Sequence, residues 1–381
     1  MPGVDHVVER RLPVGAAPID HQATHPFIRY RTRLSSYAVA RAHGWTDAAF
    51  MSLVQTLDDA VAAVDGRGFR QSPLHHVTNA PAGVSIHAKL ELFGVAGSHK
   101  ARHLFGLMLW LRVQEQIGGL VTRPRLAIAS CGNAALAAAV VARAAEWPIS
   151  VFVPTDASAA VLKRLSSLDA DVVVCERDEG VAGDPTLVQF RAAVAGGALP
   201  FCCQGTDNGL TIEGGETLGW EIAEASATLG GIDTLWVQVG GGALATGCWR
   251  GLSDAQRANV MKTRPRLVTV QTGGAWPLGR AWLRFVADVL KEPSIATYEL
   301  APTPESAALI GRIPEIAARA GTLWRADRAT LAQQLAEGWH TYMQPWPFPP
   351  HSVAHGILDD ETYDGRALVE AMLDSDGWPV I

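Results

Sequence analysis

An open parallel α/β sheet is the fold class this sequence predicts. Three observations carry it. From Val84 onward, short Val/Ile/Leu-rich runs alternate with helical stretches. The runs are continuously apolar, as strands are when helices cover both faces. Three of the turns between these elements also carry unusual sequence, and open parallel sheets bind ligands at the carboxyl ends of their strands.

The elements follow in order. His25 to Ala42 and Thr46 to Val64 read as helices; in the second, Phe50, Leu53, Val54, Leu57, Ala60, Val61 and Val64 recur at three- and four-residue steps. Gly66 and Gly68 end that stretch, so residues 1–70 form an N-terminal helical extension. Val84 to Leu90 is a strand candidate. Arg102 to Gln116 reads as an amphipathic helix with Leu104, Leu107, Met108 and Leu111 on one face. Leu126–Ala129 is a strand, Ala134–Ala145 an alanine-rich helix, and Ile149–Val153 a strand stopped by Pro154. Helices are expected at Ala157–Ser167 and Thr217–Ala227, and strands at Val172–Val174, Leu235–Val239 and Leu267–Val270.

Composition narrows the function classes. A chain of 381 residues allows about two or three domains. With 48% hydrophobic and 18% charged residues it has a large core, which excludes a disordered protein. The net charge of −6, without a basic stripe, gives no nucleic acid a footing. Apolar stretches such as Ala134 to Ala142 fall short of the roughly 18 residues of a span, so no membrane association is expected. Met1–Asp5 lacks the basic-then-apolar pattern of a signal peptide. Cys131, Cys175, Cys202, Cys203 and Cys248 form no C-x-x-C pair and read as reduced thiols, which predicts a cytoplasmic protein. The acidic run Asp359-Asp360-Glu361 reads as a solvated turn, and no metal site is expected.

Three turns carry the chemistry. The first, Gly97-Ser98-His99-Lys100-Ala101-Arg102, opens a helix. A helix start disfavours a cation, and His99 and Arg102 can add positive charge, so Lys100 is a candidate for a depressed pKa. A neutral amine is what Schiff-base chemistry requires. Taken alone, Lys100 reads as a solvated lysine at a helix start, and it gains weight only together with the other two turns. The second turn, Ser130-Cys131-Gly132-Asn133-Ala134, joins a strand to the alanine-rich helix. Its backbone N–H groups suit a substrate carboxylate, and Asn133 can donate to a ring oxygen or cap the helix. The third, Gly240-Gly241-Gly242-Ala243-Leu244, follows an apolar strand, and its glycines let the backbone close on a phosphate. Gly240, Gly242 and Ala245 also match a weak dinucleotide pattern, but the next strand ends in Gln271-Thr272, where an acidic residue would hold the ribose. A reactive lysine, a carboxylate turn and a phosphate cradle together are what an amino-acid enzyme using pyridoxal phosphate needs.

These residues resemble the fold-type II (tryptophan synthase β-like) pyridoxal-phosphate enzymes, which include threonine synthase, serine/threonine dehydratase, diaminopropionate ammonia-lyase and cysteine synthase. The resemblance runs from about Ser72 onward. Ser72-Pro73-Leu74 is similar to the family's T-P-L entry, Ser98 to Arg102 to its S-x-K-x-R motif, and Ser130 to Ala135 to S-S-G-N-T-G. Thr211 to Thr217 with Glu221-Ile222 resembles its E-G-x-x-T…E-I stretch, and Gly240 to Leu244 its G-G-G-G-L, with Ala243 in place of the fourth glycine. The resemblance implies two open parallel-sheet α/β subdomains after the extension, at 71–205 and 206–381. Ser352 to Ile357 resembles S-I-A-D-G-I, which in the family precedes a further helix and strand. Trp378 to Ile381 reads as an unfinished strand, so the segment facing the pyridine nitrogen is expected to be missing.

The same resemblance implies a function. Lys100 would be the catalytic lysine holding pyridoxal phosphate, Asn133 a contact to the cofactor's phenolic oxygen, and Gly240, Gly241, Gly242, Ala243 and Leu244 the phosphate site. Ser130, Cys131, Gly132, Asn133 and Ala134 would bind the substrate carboxylate. The expected reaction is β-elimination on a small hydroxy- or amino-substituted amino acid, in a homodimer. The alternatives are β- or γ-replacement, a catalytically silent homologue acting as a binding subunit, and an NAD-dependent oxidoreductase built on the Gly240 turn.

Overall fold

The computed structural model describes residues 19–176, 184–296, 304–347 and 350–381. Met1–Asp5, whose sequence bears on targeting, lie outside them. The chain divides into two compact units, Met1–Ile222 and Ala223–Ile381.

The first unit opens with helices α1 (Pro26–Arg29), α2 (Ser35–Ala42) and α3 (Asp47–Asp65). α3 is as the periodicity demands. Thr46 Oγ1 accepts from Ala49 N at its start, Gly66 ends it at φ 83°, and Phe50, Leu53, Val54, Leu57 and Val61 are buried. The single helix expected over His25–Ala42 is instead broken around a 3-10 turn at Arg31–Arg33. Leu34 is extended, and Ser35 N and Oγ both donate to Glu213 Oε1 at 2.8 and 2.6 Å. A tertiary carboxylate thus caps a new helix where the old one would have continued.

Strands β1 (Leu74–His76) and β2 (His87–Lys89) pair antiparallel. The strand expected over Val84–Leu90 is therefore shorter and stands outside the parallel sheet. Then come α4 (Lys100–Gln116), β3 (Leu126–Ala129), α5 (Asn133–Ala144), β4 (Ile149–Pro154), α6 (Ala159–Ser167), β5 (Asp171–Cys175), α7 (Pro185–Ala195) and β6 (Leu199–Pro200). The four strands form a parallel sheet in the order β5-β4-β3-β6. β3 is fully buried, as its unbroken Leu-Ala-Ile-Ala run requires.

α4 is not amphipathic. Ala101 to Phe105, Leu107 to Leu109 and Val113 are all buried. Helices α2 and α5 both pack against it, so little of its circumference meets water. The alanines of α5 (Ala137, Ala138 and Ala139 have no exposed surface) allow α3 and α4 to approach closely.

α8 (Thr211–Leu229) starts six residues before the expected Thr217. Gly214 and Gly215 lie inside it and do not break it, because a neighbouring backbone needs the space. A Cβ at Gly214 would collide with Arg102 O, and one at Gly106 on α4 would stand 2.9 Å from Gly214 Cα.

The second unit contains β7 (Thr234–Gln238), α9 (Ala243–Arg257), β8 (Arg266–Val270), α10 (Pro277–Leu290), α11 (Pro304–Ala326), α12 (Arg328–Glu337), α13 (Trp339–Tyr342), α14 (Gly365–Asp374) and β9 (Pro379–Val380). Its parallel sheet runs β7-β8-β9. The stretch read as an unfinished strand is thus paired with β8, and a helix and a strand do follow His355–Ile357. The core is aromatic, built on Trp282, Phe285 and Trp324, with Trp324 Nε1 donating to Asp374 Oδ1 at 2.7 Å. Among the described residues, no helix is long and apolar enough to cross a membrane.

Candidate active site

Lys100 is the first residue of α4, and a sharp reversal delivers it there. Ala96 and Gly97 both take positive φ (52° and 67°), and Ser98 is extended. Left-handed backbone is costly for alanine. Ala96 N donates to Asp65 Oδ2 at 2.9 Å, which pins the reversal to the end of α3. The 3-10 turn Val95–Gly97 also packs against α5. The Lys100 side chain is half-buried. Cys203, which sequence reading gave no role, lies with its Sγ 4.0 Å from Lys100 O.

The charges around Lys100 differ from those expected. Burial, with Lys100, His103 and Arg102 nearby, holds His99 well below the usual histidine range. His103, one turn on and fully buried, is pushed down to about 4 by burial. Its ring meets His99 edge to face at 5.8 Å, and its Nδ1 donates to Thr211 O at 2.8 Å. Both imidazoles are neutral at pH 7, so His99 adds no positive charge. Arg102 is charged but compensated: it pairs with Glu221 at 2.7 Å and Glu91 at 2.9 Å, and donates to Thr217 Oγ1 at 3.0 Å. Lys89 closes the network on Glu221 at 2.7 Å. The crowded cations expected around Lys100 are therefore absent: one neighbour is neutral and the other is neutralised.

The Thr211–Glu221 block finds its role here. Thr211 O, Gly214, Gly215, Thr217 and Glu221 each meet Arg102 or His103. In this fold they are the surface against which the first turn of α4 is set. Glu91 and Lys89 carried no local signal, since their partners lie 11 and 132 residues away along the chain.

The Ser130–Ala134 turn follows β3 and opens α5. Gly132 is the N-cap and offers no side chain. The first helical bond is Leu136 N to Gly132 O, so the N–H groups of Asn133, Ala134 and Ala135 have no acceptor within the helix. Asn133 is not the cap. It is the first helical residue, exposed, and among the described residues its amide makes no hydrogen bond. Ser130 Oγ accepts from Gly132 N at 3.4 Å, Cys131 is exposed, and Ala134 is buried.

In the second unit, Gly240–Gly242 connect β7 to α9. Gly242 is the residue that requires glycine conformationally, at φ 104°. Ala243 is already helical, so the fourth glycine of the family motif is not needed. Leu244 follows in the first turn, and Thr246 N to Gly242 O is the first helical bond. Gln271 is committed to the fold: Nε2 donates to Val239 O at 3.4 Å and Oε1 accepts from Gly279 N at 3.0 Å. It leaves no acid at the end of β8 for a ribose. Among the described residues, no group of three or more His, Cys, Asp or Glu is placed to hold a metal.

Among solved structures, the chain resembles a T.th. threonine deaminase (17% identity, 86% of this chain and 81% of that one, TM-score 0.51). It also resembles the processed form of threonine deaminase isoform 2 from Solanum lycopersicum (18%, 88% and 75%, 0.50). Maize serine racemase matches at 19% over 60% of this chain, with a TM-score of 0.44, and the chain spans 64% of that protein's length. The two threonine deaminase likenesses show the fold. No curated protein sequence matches. The model of one family, pyridoxal-phosphate dependent enzymes, matches residues 67–335 and takes in all three turns. The chain belongs to the pyridoxal-phosphate dependent enzyme family.

Proposed function

We propose that this chain is a pyridoxal-phosphate-dependent lyase that eliminates a β-substituent from a small hydroxy- or amino-substituted amino acid. The observation that carries the reading is the first turn of α4. A primary amine stands at a helix start, near two neutral imidazoles, on a backbone fixed by the Arg102–Glu221–Glu91 network.

Lys100 and Asn133 in the first unit, and the start of α9 in the second, offer the kinds of group the cofactor would need. Lys100 Nζ would be the amine for its aldehyde carbon. The exposed Asn133 amide is a donor for its phenolic oxygen. The N–H groups opening α9, after a glycine turn, suit its phosphate. When bound, the cofactor supplies an electron sink for charge developing at the substrate Cα. The chain's residues do the rest. The N–H groups of Asn133, Ala134 and Ala135 hold the substrate carboxylate at the start of α5, with Ser130 and Cys131 beside them. Lys100 would accept the Cα proton at Nζ. The leaving group would depart from Cβ with a proton, and water would hydrolyse the unsaturated product to a keto acid and ammonia.

Elimination needs only a base and a carboxylate holder. Replacement needs, in addition, a seat for an incoming nucleophile. The test is a panel of L-serine, L-threonine and 2,3-diaminopropionate given to cofactor-loaded protein, reading ammonia and keto acid together. Release of both in the ratio each substrate requires, lost in Lys100→Ala, is expected. Turnover only when a thiol or other nucleophile is added points to replacement. Amino-acid binding without turnover points to a silent homologue.

A further inference from the structure

The glycine turn after β7 already touches an acid. A Cβ built at Gly240 would collide with Asp359 Oδ2 and stand 3.0 Å from Ile357 Cα. A Cβ at Gly241 would stand 3.7 Å from the same Asp359 oxygen and 2.9 Å from Tyr363 Cδ2. The glycines at 240 and 241 are therefore required sterically by the segment His355–Asp364 lying on them.

That segment is fastened on both sides of Asp359. Thr362 Oγ1 donates to Gly240 O and Asp364 N to Gly241 O, both at 3.0 Å. Trp346 N donates to Asp360 O at 2.8 Å, and Leu358 packs on the aromatic core. A solvated acidic turn describes Asp360, which is exposed, but not Asp359, which is half-buried against Gly240. Thr362 and Asp364 are buried. The backbone around Asp359 is thus anchored, and its carboxylate reaches the turn from a fixed base.

We infer that Asp359 sets the affinity of the glycine turn for a phosphate group. The N–H groups opening α9 attract a carboxylate and a phosphate for the same reason. The Asp359 carboxylate lies on the turn that would cradle the phosphate, and two anions in contact repel. The side chain turns out to solvent when phosphate enters, so the site takes phosphate more weakly than the turn alone would. The inference rests on the reading of Gly240–Leu244 as a phosphate site.

The test compares wild-type protein with Asp359→Asn and Asp359→Ala, using inorganic phosphate, pyridoxal phosphate and pyridoxal as probes. Calorimetry reads phosphate affinity without requiring Lys100. Both variants are expected to bind inorganic phosphate and pyridoxal phosphate about tenfold or more tighter than wild type, with pyridoxal affinity unchanged. Equal phosphate affinity in all three proteins overturns the inference, as does an equal gain for pyridoxal. A failure of the functional reading looks different: neither aldehyde attaches at Lys100 in any of the proteins, whatever phosphate does. If neither variant folds, a crystal of wild-type protein grown with inorganic phosphate decides. Phosphate on the turn with Asp359 swung away supports the inference; phosphate and Asp359 side by side on Gly240 overturns it.

Discussion

Arg102 and Glu221 form an ion pair at 2.7 Å with side chains 4% and 0% exposed, two residues from the lysine that defines the candidate site. Glu91 and Lys89, both half-buried, complete the cluster around this buried pair. Removing one partner of such a pair strands the other without water. Arg102→Ala and Glu221→Gln are each expected to lose about 3–5 kcal/mol of stability, measured by urea denaturation. A loss below about 1 kcal/mol in both would show that the cluster does not fix α4.

His103 gives the first unit a pH dependence of known sign. An unfolded histidine titrates near 6.5 and this one at about 4, so between those values the unfolded chain binds more protons. The stability is fully present above pH 6.5 and falls as pH drops toward 4, by roughly 3 kcal/mol in all. His103→Gln keeps a donor for Thr211 O and removes the titration. Unfolding free energies at pH 7.5, 6.0 and 5.0 are expected to fall for wild type and to fall less steeply in the variant, where His99 still contributes a slope of the same sign. Parallel slopes in the two proteins would refute the assignment.

Gly215 faces the His103 ring, and a Cβ there would collide with Cε1. The ring is enclosed and cannot retreat. Gly215→Ala is expected to cost about 1–3 kcal/mol by overpacking. It should also weaken pyridoxal phosphate binding, because the first turn of α4 shifts. A melting temperature equal to wild type would contradict the packing.

Asn133 separates fold from function. It is exposed and does not cap α5, so Asn133→Ala is expected to change stability by no more than about 0.5 kcal/mol. Turnover should nonetheless fall about tenfold or more, as loss of a donor to the cofactor requires. Unchanged turnover with unchanged stability would remove Asn133 from the site.

Gly242→Ala places a Cβ at φ 104°, 3.0 Å from Asp364 Cβ. About 1–2 kcal/mol of backbone strain is expected. Phosphate affinity should drop in the same variant, while the Lys100 amine remains available to pyridoxal. An alanine tolerated without either effect would mean that the turn is not held as described.

Much of the fold is legible in the sequence because its signals are local. The steps of α3, the apolar run of β3 and Gly242 before α9 each report their own surroundings. Ala243 illustrates this, since one positive φ at Gly242 suffices and the following residue is free to be helical. What escapes is set by distant partners. The helix expected through Leu34 breaks because Glu213 captures Ser35, 178 residues away. Gly214 and Gly215 read as breakers, yet lie within α8 because α4 passes against them. Net charge near Lys100 is not legible either, since the carboxylates that balance Arg102 come from residues 91 and 221.

The central claim is that Lys100 carries the cofactor, and borohydride trapping tests it most directly. Protein loaded with pyridoxal phosphate is reduced, digested and mapped by mass spectrometry. The pyridoxyl group is expected on the peptide containing Lys100, and nowhere in a folded Lys100→Ala variant. A label on any other lysine, or none in the wild-type protein, would contradict it.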